Sequence, residues 1–210
     1  MISTMQHPGI VAIVRLRHSA PTEHILEALL EGGIRHIEIT LPTPGSLQAI
    51  ARWQATAAAV LGAGTVRTVD DVARAADAGA RFLVTPTTSI PVLEAADRAG
   101  LPVICGALTP SEIDTAARAA ALVKVFPIDA VGGLAYLTAI AAPLSDIGFV
   151  PTGGVDVPSA RSYAAFGCAG VGVGSALIAE QAVADGRWSL LRERASAFSQ
   201  AWADGVAARE

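Results

Sequence analysis

Eight short runs rich in Val, Ile and Leu recur about every 20 to 25 residues along this 210-residue chain, the spacing of repeated strand–helix units. They lie at Gly9–Leu16, Arg35–Pro42, Val60–Val66, Arg81–Pro86, Leu101–Leu108, Leu122–Pro127, Ile147–Gly154 and Ala169–Ser175. The stretches between them are Ala-rich, helical in period and marked by start signals. Thr68 with Asp71 and Thr109 with Glu112 have the spacing of capping boxes, Pro110 and Pro158 stand at first helical turns, and Gly79 follows a helix end. Eight such units in so short a chain predict a single compact (β/α)8 TIM barrel over residues 1–210, with an open doubly wound sheet as the alternative. The composition agrees: 52% hydrophobic and 16% charged residues suit strands covered on both faces. A final stripe of Leu191, Ala195, Phe198 and Trp202 reads as the core face of the last helix.

Several function classes are disfavoured by the same sequence. Net charge is −4 and no basic stripe is interleaved with aromatics, which argues against nucleic acid as a partner. The apolar runs are too short to span a bilayer, and "MISTMQHPG" enters a strand-like segment without the pattern of a secretory leader, so the chain reads as cytoplasmic. Cys105 and Cys168 lack metal-site spacing and read as buried free thiols. His7, His18, His24 and His36 form no ligand pattern. No metal or other cofactor is expected.

A barrel places its chemistry where strands end and βα loops begin. Those ends supply Arg15, Glu38, Thr65, Pro86, Lys124, Gly153, Gly154, Gly174 and Ser175. Lys124 is the only lysine beside fourteen arginines, and it sits in the middle of the apolar run "ALVKVFP". Glu38 is likewise enclosed in "HIEIT". One reading is a buried Lys124–Glu38 ion pair, which need not stabilise the fold. The other is catalytic. Desolvation disfavours the ammonium, leaving a neutral amine that can attack a ketone to form a Schiff base, which guanidinium cannot do. A protonated imine withdraws electrons from an adjacent carbon–carbon bond, and Glu38 is placed to shuttle the protons that such a cleavage requires.

The loops after the seventh and eighth runs, "PTGG" and "GVGVGS", lie where barrels commonly bind phosphate on backbone N–H groups. Gly153, Gly154, Gly174 and Ser175 are therefore phosphate candidates, against the simpler reading of tight turns. Arg15 is either a solvated strand end or a fork for a substrate carboxylate. Thr65 either donates to the same carboxylate or turns the chain, and Pro86 shapes the pocket.

Taken together, "IEITL", "GAGTV", "VKVFP", "PTGG" and the final "GS" resemble, in order and over nearly the whole chain, the class I aldolases of the 2-keto-3-deoxy-6-phosphogluconate and 2-dehydro-3-deoxy-6-phosphogalactonate family, which includes 4-hydroxy-2-oxoglutarate aldolases. The resemblance implies a metal-independent homotrimeric barrel that cleaves a phosphorylated keto-deoxy sugar acid to pyruvate and glyceraldehyde 3-phosphate. In that scheme Lys124 forms the imine, Glu38 shuttles protons, Arg15 and Thr65 hold the carboxylate, and the glycine loops hold the phosphate. One departure stands out. Phosphogluconate aldolases often read "TLRT" where this chain reads "TLPT" with Pro42, whereas Arg15 resembles the arginine of the phosphogalactonate branch. Two other functions remain open on the residues alone: a phosphosugar isomerase using Glu38 as base without an imine, and a non-catalytic phospholigand-binding barrel.

Overall fold

The computed structural model describes residues 5–54 and 58–209, so the reading of the opening "MIST" lies outside the described residues. Seven strands form one parallel sheet: β1 (Gly9–Val14), β2 (His36–Thr40), β3 (Val60–Gly64), β4 (Phe82–Val84), β5 (Val103–Ala107), β6 (Leu122–Val125) and β7 (Gly170–Val173). Their order is β6-β5-β4-β3-β2-β1-β7. Sequential neighbours pair, and the last strand returns to the first, so the sheet curls into a nearly closed α/β barrel.

The seventh of the eight expected strands does not form as a strand. Its run instead makes isolated bridges, Val123 with Phe149 and Thr152 with Gly172. Hydrogen bonds nevertheless reach both neighbours: Val150 N and Thr152 N donate to Val123 O and Val125 O of β6, while Ala169 N and Gly172 N donate to Phe149 O and Pro151 O. Pro151 lacks an N–H, which interrupts a regular ladder at this position.

Nine helices among the described residues follow the strands: α1 (Thr22–Glu31), α2 (Ser46–Trp53), α3 (Val69–Asp77), α4 (Ile90–Arg98), α5 (Pro110–Ala117), α6 (Gly133–Ala141), α7 (Val157–Phe166), α8 (Glu180–Ala184) and α9 (Trp188–Ala207). Thr68 and Asp71 cap α3, and Thr109 and Glu112 cap α5, each as a reciprocal box. Asp156 caps α7. Leu191, Ala195 and Phe198 of α9 are buried and Trp202 is half-buried, and the helix packs on α1 and α7.

Alternation along each strand divides the core in two. Ile37, Ile39, Leu61, Ala63, Leu83, Cys105, Val123 and Val125 face the helices in one large cluster. Val11, Phe82, Val84, Ile104, Leu122 and Val150 fill the barrel interior. The inward parity that carries Leu122 also carries Lys124, and in β2 it carries Glu38. No helix among the described residues is long and apolar enough to cross a membrane.

Candidate active site

At the C-terminal mouth of the barrel lies a cavity of about 580 Å³. Its wall includes Lys124, Arg15, Gly153, Gly154, Gly174 and Ser175, so six residues named from sequence converge on one space. Glu38, Thr65 and Pro86 stand outside that wall.

Lys124 is 5% exposed and Glu38 is 1% exposed. Burial pushes the Lys124 amine below the ordinary lysine value of 10.5; the charge of Glu38 opposes that shift and Arg15 adds to it. Burial also holds the Glu38 carboxyl above its ordinary value of 4.5, with Lys124 and Arg15 pulling the other way. The two groups therefore sense each other without closing into contact. Among the described residues, both carboxylate oxygens of Glu38 are buried without a hydrogen bond, and Lys124 Nζ lies 5.4 Å from the centroid of the Phe126 ring. An aromatic face at that distance favours a cation, while the surrounding apolar strand favours the neutral amine.

Space for the carboxylate comes from the neighbouring strand. Gly64 pairs with Thr40 in the β2–β3 register, and a Cβ on Gly64 would stand 2.9 Å from both Cδ and Oε1 of Glu38. The glycine thus accommodates the Glu38 head group. Gly106, opposite Lys124 in the β5–β6 register, serves the chain at Pro86 in the same manner, since a Cβ there would run into the Pro86 carbonyl. Pro86, which follows β4, is consequently separated from Lys124 of β6 by β5. Thr65 has φ +60, an uncommon left-handed conformation for a residue other than glycine, and it follows Gly64 directly at the end of β3.

The loops facing Lys124 differ in character. Gly153 and Gly154 have φ +94 and +81, the left-handed backbone region that favours glycine. Both precede the N-terminus of α7, where the N–H of Ser159 is already occupied by the Asp156 carboxylate. Arg17 lines the rim and is held there by Glu180, which accepts from Arg17 N at 2.9 Å.

Sequence reasoning missed Phe126, Ile13 and Gly172 as parts of the wall, and Thr152 entered it only as a member of "PTGG". Phe126 was within reach, because it shares strand parity with Lys124. Among the described residues, no group of three or more His, Cys, Asp or Glu side chains is arranged to hold a metal ion. Cys105 and Cys168 are buried and free.

The KDPG and KHG aldolase family model matches residues 1–193. The chain belongs to this family. A 2-dehydro-3-deoxy-phosphogluconate aldolase of Treponema pallidum is 33% identical over 191 residues, covering 90% of this chain and 91% of its own. A probable 2-dehydro-3-deoxy-6-phosphogalactonate aldolase of Rhizobium meliloti is 37% identical over 177 residues, covering 82% of each. Among solved structures, a KDPG aldolase from Legionella pneumophila, with pyruvate captured as a covalent carbinolamine intermediate, superposes with a TM-score of 0.80 at 32% identity, covering 92% of this chain and 95% of that one. This aldolase is thus a lyase, with relatives named for both the gluconate and the galactonate substrates.

Proposed function

We propose that this class I aldolase reversibly cleaves a 2-keto-3-deoxy-6-phospho-sugar acid to pyruvate and glyceraldehyde 3-phosphate. Lys124 Nζ adds to the C2 ketone to give a carbinolamine, which loses water to form a protonated imine. A base removes the proton of the C4 hydroxyl, the C3–C4 bond breaks, and its electrons pass to the imine as an enamine while the aldehyde departs. Protonation at C3 and hydrolysis then release pyruvate and free the amine. Glu38, acting directly or through water, is the group that carries these protons, and its raised carboxyl suits it to both giving and taking them.

Arg15 and Thr65 hold the carboxylate end, Pro86 shapes the pocket beside it, and Gly153, Gly154, Gly174 and Ser175 hold the phosphate. The same reading takes residues 1–210 as one (β/α)8 domain with the bridged segment as the eighth stave, assembled as a cytoplasmic homotrimer. One observation carries the catalytic reading: the chain's only lysine lies buried in the cavity wall, its amine pushed below the ordinary value by burial and influenced by the charge of Glu38, whose oxygens have no hydrogen-bond partner among the described residues. The Legionella relative caught as a carbinolamine with pyruvate supports the same chemistry.

The test is pyruvate release, coupled to lactate dehydrogenase, from the gluconate and galactonate substrates with and without the 6-phosphate. Turnover of at least one phosphorylated acid is expected, falling by roughly tenfold or more without the phosphate, the loss of a charge-assisted hydrogen bond or two. Absence of pyruvate from every keto-deoxy acid, including 4-hydroxy-2-oxoglutarate, would overturn the proposal.

A further inference from the structure

Arg15 follows the last residue of β1, where the ladder with β2 has ended at the Val14–Ile39 pair. The chain leaving the sheet there passes a buried side chain, Leu16, and two backbone groups, one on each side of Arg15, meet a single hydroxyl. Leu16 N donates to Thr43 Oγ1 at 3.2 Å, and Thr43 Oγ1 donates to Val14 O at 3.3 Å. Thr40 Oγ1 stands 3.0 Å from Thr43 Oγ1; with the Thr43 proton committed to Val14, Thr40 is the donor and the Thr43 oxygen accepts twice. Thr40 and Thr43 are 0% and 2% exposed, and Thr43 N bonds back to Thr40 O in a tight turn. The hydroxyl therefore grips the backbone on either side of Arg15 and ties it to the end of the strand that carries Glu38. Arg15, by contrast, is exposed, has no ion-pair partner among the described residues, and lines the cavity.

We infer that Thr43 is a positioning residue for Arg15: it fixes the stem from which the guanidinium reaches the carboxylate of the substrate, in a segment whose preceding residue, Pro42, offers no cation of its own. The inference rests on the proposed carboxylate role of Arg15. It assigns the "TLPT" segment a function through its last threonine, by way of the backbone of another strand. Removing the hydroxyl leaves Leu16 N without this acceptor, takes one donor from Val14 O, and loosens the base of Arg15. The loss should appear in recognition of the carboxylate and not in the chemistry at the ketone carbon.

The experiment measures the concentration of ketone giving half-maximal borohydride trapping on Lys124, with pyruvate and with pyruvamide, which has the same ketone but no carboxylate charge. Arg15→Ala is expected to raise the value for pyruvate roughly ten- to hundredfold and to change that for pyruvamide little. Thr43→Val is expected to raise the pyruvate value roughly three- to tenfold, again sparing pyruvamide, while Thr43→Ser restores it. In an Arg15→Ala background Thr43→Val should add nothing. Should Arg15→Ala weaken both ketones equally, or neither, the carboxylate reading of Arg15 falls and the inference with it. If Arg15→Ala is selective but Thr43→Val weakens both ketones, has no effect, or keeps its full effect without Arg15, the inference alone is overturned.

Discussion

Gly64→Ala isolates the role of Glu38 without touching a polar group. Its backbone lies in a regular strand, so alanine meets no conformational barrier there. The obstacle is the Glu38 head group, 2.9 Å from the new Cβ, where ordinary contact lies at 3.4–4 Å. Glu38 Cδ and Oε1 must recede by about 0.5 to 1 Å. Because the displaced atoms are the end of a flexible side chain, the stability cost is at the low end for overpacking, about 1 kcal/mol, and Tm should fall by about 2–4 °C. The catalytic cost is larger, since a misplacement of about 1 Å can lower a rate on the order of 100-fold. We expect kcat for cleavage to drop roughly 10- to 100-fold, equivalent to about 1.4–2.7 kcal/mol of barrier. Trapping with pyruvate and borohydride should still reach full stoichiometry, though more slowly, because Lys124 stands on a different strand. Unchanged kcat in a folded Gly64→Ala protein would refute the reasoning, as would loss of the trapped adduct in proportion to kcat.

Two further predictions concern charge. The rate of imine trapping should rise with pH through a midpoint below 10.5, the ordinary lysine value, and Glu38→Gln should move that midpoint lower, because the Glu38 charge holds the ammonium up; an NMR titration of the amine checks the shift, and an upward movement contradicts it. Lys124→Met should abolish trapping and stabilise the fold near neutral pH by about 1 kcal/mol, raising Tm by about 2–4 °C. The sign follows from linkage: with its folded pKa depressed, Lys124 adds stability only above the unfolded pKa and loses it as pH falls through the folded one. The advantage of the methionine variant should accordingly shrink as pH approaches the unfolded lysine value, which thermal melts across that range would measure.

The strand–helix rhythm was legible because each run supplies two buried faces and each helix carries its own cap. Thr68 and Thr109 cap where their side chains and spacing predict. What failed at Ile147–Gly154 was the assumption that an apolar run long enough for a strand forms one. Pro151 removes a donor, and the segment satisfies both neighbours through separate bonds instead. In the site, Lys124 was conspicuous because its charge opposes its surroundings. Gly64 and Gly106 were not, because a strand glycine in "GAG" or "CGA" looks like a weak spot until the atom occupying its missing side chain is known. Thr43 was hidden for a similar reason. Its hydroxyl bonds to Val14 and Leu16, 29 and 27 residues away, and no local spacing encodes that meeting.

The central claim is that the chain's only lysine forms the reacting imine. Incubation with pyruvate and borohydride, followed by peptide mapping, tests it most directly, since the N-terminal amine is the only competing amine and lies on a different peptide. We predict one three-carbon adduct per chain on the peptide containing Lys124, with aldol activity lost in parallel and both adduct and activity absent from Lys124→Arg. Full cleavage activity in Lys124→Arg, with no adduct on that peptide in the unmodified sequence, would contradict the account.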